Sequence, residues 1–222
     1  AGYREVTYDA NGFVDIASDF NGNLTDYDYN LKGEITRKVE AAGTPLARET
    51  TYAWDANGRM IQERVTGWSQ TDYVFRSDGL VQSISRKNLS PYGLANQTLA
   101  TGYGYAMHPN GMLASVVIDG PLSGNGDAVK MTYDATGNLL TVKNSLNHTA
   151  TYALYNALGL PGRITTANGT VTDYTYDGRS KVLTEKRTVN GSLQTTTYVY
   201  DNRERLSKRT SPSGETITYV YD

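Results

Sequence analysis

The sequence of 222 residues has no cysteine, no long hydrophobic run and almost no net charge. Without cysteine, neither a disulfide framework nor a thiolate metal site can form. No apolar run approaches the roughly 18 residues that a membrane-spanning helix needs. The formal net charge is −2 with acidic and basic residues interspersed, so the basic footprint of a nucleic-acid-binding protein is missing. The sequence therefore predicts no nucleic-acid partner and no membrane span.

Tyrosine is abundant where other aromatic residues are scarce. The chain has 18 tyrosines against three phenylalanines and two tryptophans. Hydrophobic residues make up 38% and the mean hydropathy is −0.51, which is a low apolar content for a thick core. Tyrosine and threonine favour strands because they suit a pleated, half-buried surface. The composition predicts an all-β protein with modest burial.

An aromatic residue followed by a turn recurs along the whole chain, with successive copies between 21 and 30 residues apart. That period holds about two ordinary strands and two turns. We call these aromatic residues the anchors. They are Tyr8, Tyr29, Trp54, Phe75, Tyr105, Tyr133, Tyr155, Tyr176, Tyr200 and Tyr221.

A threonine-rich alternating stretch precedes most anchors, as in Thr195–Tyr200 and Glu215–Tyr221. A second tyrosine often lies two residues before the anchor, and period two places both rings on one face of a strand. Rings from successive repeats are expected to stack as a ladder, in which each cross-strand pair contributes about 0.2–1 kcal/mol. The anchors are therefore predicted to be structural.

Asp or Asn follows most anchors, and Gly recurs three residues later. An Asp or Asn side chain accepts backbone N–H groups across a bend, and Gly takes the positive φ that closes it. The predicted turn residues are Asp9, Gly12, Asn30, Gly33, Asp55, Gly58, Gly79, Asp134, Gly137, Asn156, Gly159, Asp177 and Asp201.

Four repeats depart from this pattern. Arg76 follows Phe75 and Ala106 follows Tyr105, and Gly111 comes two residues late. Ser180 and Glu204 stand where Gly is expected, so the turns around them are predicted to be of a different type.

The other end of each hairpin carries its own turn, often Asn-Gly, which is a strong hairpin signal. Two spacers, Arg86–Ala100 and Asp119–Ala128, are predicted to be extended hairpin tips. No segment shows sustained helical periodicity. The predicted fold is all-β: repeated antiparallel β-hairpins of 21–30-residue period in a spiral, solenoid-like sheet. A β-propeller is the alternative, but a blade needs about 40 residues and four strands.

The recurring Tyr-x-Tyr-Asp-x-x-Gly-x-Leu pattern resembles the Rhs/YD-repeat family. It stands as "VTYDANGFV" (Val6–Val14), "YAWDANGRM" (Tyr52–Met60), "MTYDATGNLL" (Met131–Leu140) and "YVYDNRERL" (Tyr198–Leu206). The resemblance implies a β-sheet strip that, in complete members, closes into a hollow shell around a C-terminal toxin domain. Bacterial polymorphic toxins, insecticidal toxin complexes and teneurins follow that plan. The family's self-cleavage motif begins Asp-Pro, and no Asp-Pro step occurs here, so that activity is not expected of this chain.

The resulting expectation is a single segment of about ten repeats over residues 1–222, from a larger secreted or cell-surface protein. It is expected to be a non-catalytic part of a shell that encloses or presents a toxin or other cargo domain, without cofactor or metal. Its expected partners are flanking repeats or a second copy, because an open strand edge invites pairing, and the enclosed cargo.

Rival site hypotheses rest on few residues. His108 and His148 lack metal-ligand or triad spacing. A glycosidase needs two acids in distinct environments, whereas the repeat aspartates are near-equivalent. The oxygen-rich segment Asp119–Asp127 lacks the spacing of a known calcium loop. A cell-surface adhesion or carbohydrate-binding module stays open as the alternative function, with Trp54 and Trp68 as candidate stacking rings.

Overall fold

The computed structural model describes residues 4–189 and 191–222 as β-strands joined by hairpin turns, with one short 3-10 helix. The chain divides into two compact units, with the boundary between Tyr103 and Gly104. The first unit contains β1 (Val6–Tyr8), β2 (Val14–Ser18), β3 (Leu24–Tyr29), β4 (Ile35–Glu40), β5 (Arg48–Trp54), β6 (Met60–Val65), β7 (Ser69–Phe75) and β8 (Val81–Asn88).

The boundary falls within β9 (Thr98–Met107). The second unit contains β10 (Leu113–Asp119), the 3-10 helix Ser123–Asn125, β11 (Val129–Tyr133), β12 (Leu139–Asn144), β13 (Thr149–Tyr155), β14 (Pro161–Thr165), β15 (Val171–Tyr176), β16 (Val182–Val189), β17 (Ser192–Tyr200), β18 (Leu206–Thr210) and β19 (Thr216–Thr218).

Each strand pairs with the next strand along the chain in one antiparallel sheet. Short turns between consecutive alternating strands favour this arrangement, because a two- to five-residue loop can join only antiparallel neighbours. The all-β, antiparallel hairpin prediction is confirmed. No helix in the described part of the chain is long and apolar enough to cross a membrane.

The strands end at two kinds of turn. In each unit the odd-numbered strands run towards what we call the YD end, where each turn follows an anchor position. The even-numbered strands run towards what we call the tip end. The predicted long spacers lie at the tip end, as the loops Leu89–Gln97 and Gly120–Ala128.

Irregular pairing marks the YD end of most hairpins. An anchor faces the residue six positions ahead, as in Tyr29 with Ile35 and Tyr133 with Leu139, and the register shifts immediately before the anchor. Such a β-bulge increases local twist and re-aims side chains. It places the anchor ring beside the first residue of the returning strand.

The core is thin. Val39 and Val116 are the buried apolar residues of the described chain. Three threonines on strands, Thr50, Thr172 and Thr196, are also buried. The accessible surface is 14490 Å², whereas a compact monomer of this mass exposes about 10,000 Å². Backbone pairing and turn chemistry therefore carry a large share of the stability.

The predicted ladder of stacked rings between successive repeats is wrong. The described pairs between an anchor and the tyrosine two residues earlier lie within one strand, as in Tyr27 with Tyr29 at 6.5 Å and Tyr174 with Tyr176 at 6.3 Å between centroids. Anchors lie only on odd-numbered strands, so an even-numbered strand separates one anchor from the next by about 10 Å. The rings instead contact the turn of the preceding hairpin.

Candidate functional site

The YD turn is the recurring constellation of polar groups, and the turn Asp134–Asn138 represents it. The N–H of Asp134 donates to the carbonyl of Asn138 at 2.9 Å, and the N–H of Gly137 donates to the carbonyl of Asp134 at 3.1 Å. Asp134 Oδ1 accepts the N–H groups of Thr136 and Asn138, both at 2.9 Å. Gly137 has φ +93°, which an L-residue adopts only at a cost. We number the five residues of such a turn as positions 1 to 5.

The two backbone bonds of this turn recur at all nine described YD turns. At position 1, Oδ1 accepts the N–H groups of positions 3 and 5 in the turns that begin at Asp9, Asn30, Asp55, Asp134, Asn156, Asp177 and Asp201. Glycine with positive φ occupies position 4 at Gly12, Gly33, Gly58, Gly79, Gly111, Gly137 and Gly159.

These hydrogen bonds lower the pKa of four turn carboxyls, those of Asp55, Asp134, Asp177 and Asp201. The Thr136 hydroxyl and then the Asn138 side-chain amide hold the pKa of Asp134 well below its ordinary value. In the turns that begin at Asp55, Asp177 and Asp201, the N–H of position 5 is the largest cause of a lowered pKa of the carboxyl. A general acid needs a raised pKa, so this geometry suits an acceptor that closes a turn and does not suit proton transfer.

The turns that contain Ser180 and Glu204 have the same type as the others, so the prediction of a different type is wrong. Their φ angles are 68° and 64°, and their N–H groups donate to the carbonyls of Asp177 and Asp201. The flanking strands and the position 1 carboxylate impose the conformation, at about 1–2 kcal/mol for a non-glycine residue. Glu204 Oε1 also accepts a hydrogen bond from Arg179 Nη1 of the preceding turn, at 2.8 Å.

Two further turns show what the sequence pattern missed. The turn that begins at Arg76 closes normally although position 1 is not Asp or Asn. The fifth repeat turns at His108, and β9 runs to Met107. Met107 therefore occupies the anchor position and Tyr105 lies two residues before it, so the predicted anchor is displaced. Counting three residues back from Gly111 identifies His108; a search for aromatic anchors does not.

Anchor side chains reach back to the preceding hairpin. Trp54 Nε1 donates to the carbonyl of Ile35 at 2.7 Å, and the Tyr200 hydroxyl donates to the carbonyl of Val182 at 3.0 Å. Each acceptor is the first residue of the preceding returning strand. The same bond joins Tyr155 to Leu139, Tyr176 to Pro161 and Tyr221 to Leu206.

In most YD turns the side chain at position 5 contacts the next repeat along the chain. The Phe13 ring lies 5.0 Å from the Tyr29 ring, centroid to centroid, and the Arg59 guanidinium lies 4.5 Å above the Phe75 ring. The same side chain crowds the next glycine, because a Cβ on Gly33 would lie 2.8 Å from Phe13 Cζ. Gly33 is therefore required for both its φ and its space, which no single repeat reveals.

The other candidate residues do not converge on a site. His108 Nε2 donates to the carbonyl of Tyr133 at 2.9 Å, and His148 lies beside Asn144. Asp119 and Asp127 each hold one buried Oδ1 that has no hydrogen-bond partner among the described residues. Within the same described ranges, no three His, Cys, Asp or Glu side chains form a group that can hold a metal ion.

The two tryptophans differ in setting. Trp54 is half-buried and its N–H is used within the fold. Trp68 is 56% exposed, at the tip end of the first unit, with its ring centroid 6.3 Å from that of Tyr92. Only Trp68 is therefore placed to meet a ligand.

Comparison with known proteins gives one family and one fold. The model of the teneurin YD-shell family matches residues 112–222, which is half of the chain. Similar solved structures include the crystal structures of TcdB2-TccC3-Cdc42 and of TcdB2-TccC3 without its hypervariable C-terminal region. A third is the Photorhabdus luminescens Tc holotoxin pore with a mutated TccC3. Each has a TM-score of 0.72 at 17% identity.

Each of these three matches covers 95% of this chain but 11% of the matched chain. At 17% identity the likeness concerns the fold, which is the same strip of hairpins. The chain thus corresponds to a small part of each much longer relative.

Proposed function

Because the chain belongs to the teneurin YD-shell family, we propose that it is a non-catalytic length of shell wall that helps to enclose or present a toxin or other cargo domain. The whole of residues 1–222 is proposed to act as one segment of about ten repeats. The observation that carries the proposal is the cross-repeat contact at the YD end, where five anchors donate a hydrogen bond to the hairpin before them.

Those contacts suit a wall because they join nearest neighbours and recur along the chain, with the anchor-to-carbonyl bond present at five repeats. The Tyr200 hydroxyl bonds the carbonyl of Val182, and Arg59 covers the ring of Phe75. Stability that accumulates through contacts between adjacent units is typical of solenoid-like proteins. A sheet built this way can extend without a deep core.

The turn carboxylates support a role without catalysis. Oδ1 of Asp134 and of Asp177 each accepts two backbone N–H groups, and the pKa of both carboxyls is lowered. Catalytic acid–base pairs need carboxyls whose pKa values are pushed apart. Similar Asp or Asn acceptors at seven of the nine described YD turns favour a purely structural role for the anchors and turn residues, with no cofactor.

The proposed partners are flanking repeats of the same protein or a second copy, together with the enclosed domain. The proposed location is secreted or on the cell surface, as for the toxin complexes and teneurins that the family pattern resembles. The thin core of the segment supports contact with more protein, because little of its own apolar surface is buried.

The alternative, a surface adhesion or carbohydrate-binding module, has weaker support. It relied on Trp54 and Trp68 as stacking rings, and Trp54 donates its N–H to the carbonyl of Ile35 within the sheet. One exposed tryptophan does not make a row of sugar subsites.

Limited proteolysis of the full-length protein that carries this segment tests enclosure. We expect the cargo domain to resist protease in buffer and to become cleavable only at a urea concentration that opens the wall. Gly33→Ala should lower that concentration more than Gly22→Ala, because only Gly33 touches the neighbouring repeat. Cleavage of the cargo domain in buffer at the rate of the isolated domain would contradict the proposal.

A further inference from the structure

The tip end of the first unit presents an exposed aromatic cluster that the turn network does not use. It consists of Leu46, Trp68 and Tyr92, which are 83%, 56% and 71% exposed. We call it the tip cluster. Leu46 and Trp68 are among the residues that line a cleft of about 530 Å³, and the Trp68 and Tyr92 ring centroids are 6.3 Å apart. The planes of these two rings are tilted by 32°, so the pair is open and not stacked.

The loop that presents Tyr92 is held in place by its own polar groups. Asn88 Nδ2 donates to the carbonyls of Tyr92 at 2.7 Å and Leu94 at 3.2 Å. The Ser90 hydroxyl, in a residue only 8% exposed, donates to Asn88 Oδ1 at 2.7 Å. Asn96 adopts φ 62°, a conformation that costs a non-glycine residue free energy. This nine-residue loop, held by its own hydrogen bonds, carries an exposed ring near its middle, and surface loops of this kind often carry binding residues.

The cluster is free of charge but carries unused donors. Residues 41–47, 66–68 and 89–97, which form the three tips, contain no charged residue. Arg48 and Glu49 also line the cleft, but each is already ion-paired, Arg48 with Glu40 and Glu49 with Arg37. Trp68 Nε1–H and the Tyr92 hydroxyl have no hydrogen-bond partner within residues 4–189 and 191–222, unlike the N–H of Trp54. The surface therefore offers two rings and two donors to a neutral ligand that supplies acceptors.

We propose that the tip cluster binds an uncharged, proline-rich peptide in the polyproline II conformation. Such a segment has no internal hydrogen bonds, so its carbonyls are free to accept the N–H of Trp68 and the hydroxyl of Tyr92. A proline ring can pack across the exposed faces of two neighbouring aromatic rings, which is the way that aromatic-lined grooves recognise these peptides. The peptide is already extended, so little conformational entropy is lost on binding. Binding here does not depend on whether the sheet encloses a cargo.

The probe is a dye-labelled decaproline peptide, followed by fluorescence anisotropy with the intact 222-residue chain. We expect saturable binding that Trp68→Ala and Tyr92→Ala each weaken at least tenfold. Tyr92→Phe should weaken it only a few-fold, because the ring stays and one donor is lost. Raising salt from about 0.1 M to about 1 M should leave the Kd unchanged within twofold, since no charge takes part.

Phe20→Ala is the matched control, because Phe20 is 67% exposed at another tip of the same unit. It should leave the Kd unchanged within twofold, and circular dichroism should show all variants folded. The proposal is overturned by the absence of saturation at millimolar protein or by an equal loss with Phe20→Ala. Displacement of the peptide by a neutral oligosaccharide, or anisotropy that follows self-association of the chain, would also overturn it.

Discussion

The same five-residue turn closes hairpins at both ends of the sheet, but its contacts with neighbouring repeats differ between the two ends. The five-residue turn with its two backbone bonds occurs at every described YD turn, and also at tips such as Asp19–Asn23 and Thr166–Thr170. At the YD end, a Cβ added to five of the seven position 4 glycines would lie within 4 Å of a side chain of the preceding repeat. At the tips, the corresponding glycines Gly22, Gly169 and Gly214 have nothing within 4 Å.

The hydrogen bonds within a turn therefore do not by themselves join one repeat to the next. A tip turn closes one hairpin, whereas a YD turn also receives a side chain from the repeat before it and supports the ring of the repeat after it. Substitutions matched between the two ends can therefore separate the free energy of making a turn from the free energy of joining two repeats.

The largest effect is expected from Gly33→Ala compared with Gly22→Ala. Both glycines have a positive φ, +80° and +83°, so each alanine costs about 1–2 kcal/mol in the left-handed region. Gly33→Ala should cost about 1–3 kcal/mol more, because its Cβ would overlap the Phe13 ring. Urea unfolding measures both variants.

Phe13→Ala supplies the second half of this test. In that background the additional cost of Gly33→Ala should disappear, leaving the two alanine variants alike. An equal loss for Gly22→Ala and Gly33→Ala in the parent chain would mean that the ends do not differ in the way the contacts indicate.

A smaller effect is expected when one anchor loses its hydrogen bond to the preceding hairpin. Tyr200→Phe deletes the hydroxyl that donates to the carbonyl of Val182 at 3.0 Å, which should cost about 0.5–1.5 kcal/mol in the free energy of unfolding. Tyr152→Phe is the control, since the Tyr152 hydroxyl has no partner in the described part of the unit. If Tyr200→Phe were as stable as the parent chain, the bond from the Tyr200 hydroxyl to the Val182 carbonyl would not be stabilising.

The smallest effect per site is expected from acid. The pKa values of Asp134, Asp177 and Asp201 are lowered in the folded state, by hydrogen bonds that only the turn supplies. Their stabilisation is present above the unfolded-state pKa of about 4 and is lost as the pH falls through the folded-state pKa. Below about pH 4, hydrogen exchange should therefore quicken at these YD turns before it quickens at the tips that begin with Thr166 and Ser211, which do not titrate.

Replacing the three aspartates by asparagine sharpens the pH test. Asparagine keeps Oδ1 as an acceptor, as Asn30 and Asn156 already do, but it does not titrate. The triple variant should stay folded and lose the selective acid response at its turns. A response that persisted would assign the acid sensitivity to other groups.

The strands and the turns were predictable from the sequence because each repeat carries its own signals. Tyr133 preceded by alternating residues marks a strand, and Asp134 with Gly137 marks a bend. The same local rules failed at Glu204, where a missing glycine predicted a different turn. There the flanking strands and the Asp201 carboxylate, which accepts two backbone N–H groups, override the local preference.

The contacts between repeats were not predictable in the same way. The acceptor for the Tyr200 hydroxyl is a backbone carbonyl 18 residues earlier. Every residue has a backbone carbonyl, so the sequence does not indicate which one accepts the bond. The space that Phe13 takes above Gly33 depends on the spacing of two hairpins. The aromatic residue Tyr105 predicts an anchor at that position, whereas the positions of His108 and Gly111 determine where the chain turns. The exposure of Trp68 and the burial of Trp54 also depend on which neighbour offers a partner for the indole N–H.

The constant length of the YD turn has a consequence for how such chains change. Each described YD turn has five residues, whereas the tips range from Thr66–Trp68 to Leu89–Gln97. An insertion at a tip does not change the register between an anchor and the carbonyl that it contacts. An insertion at a YD turn shifts the anchor and the first residue of the returning strand out of register with their neighbours. Tips are therefore the natural entry points for grafted peptides or whole domains, and a new loop can be added there without re-engineering the sheet that carries it.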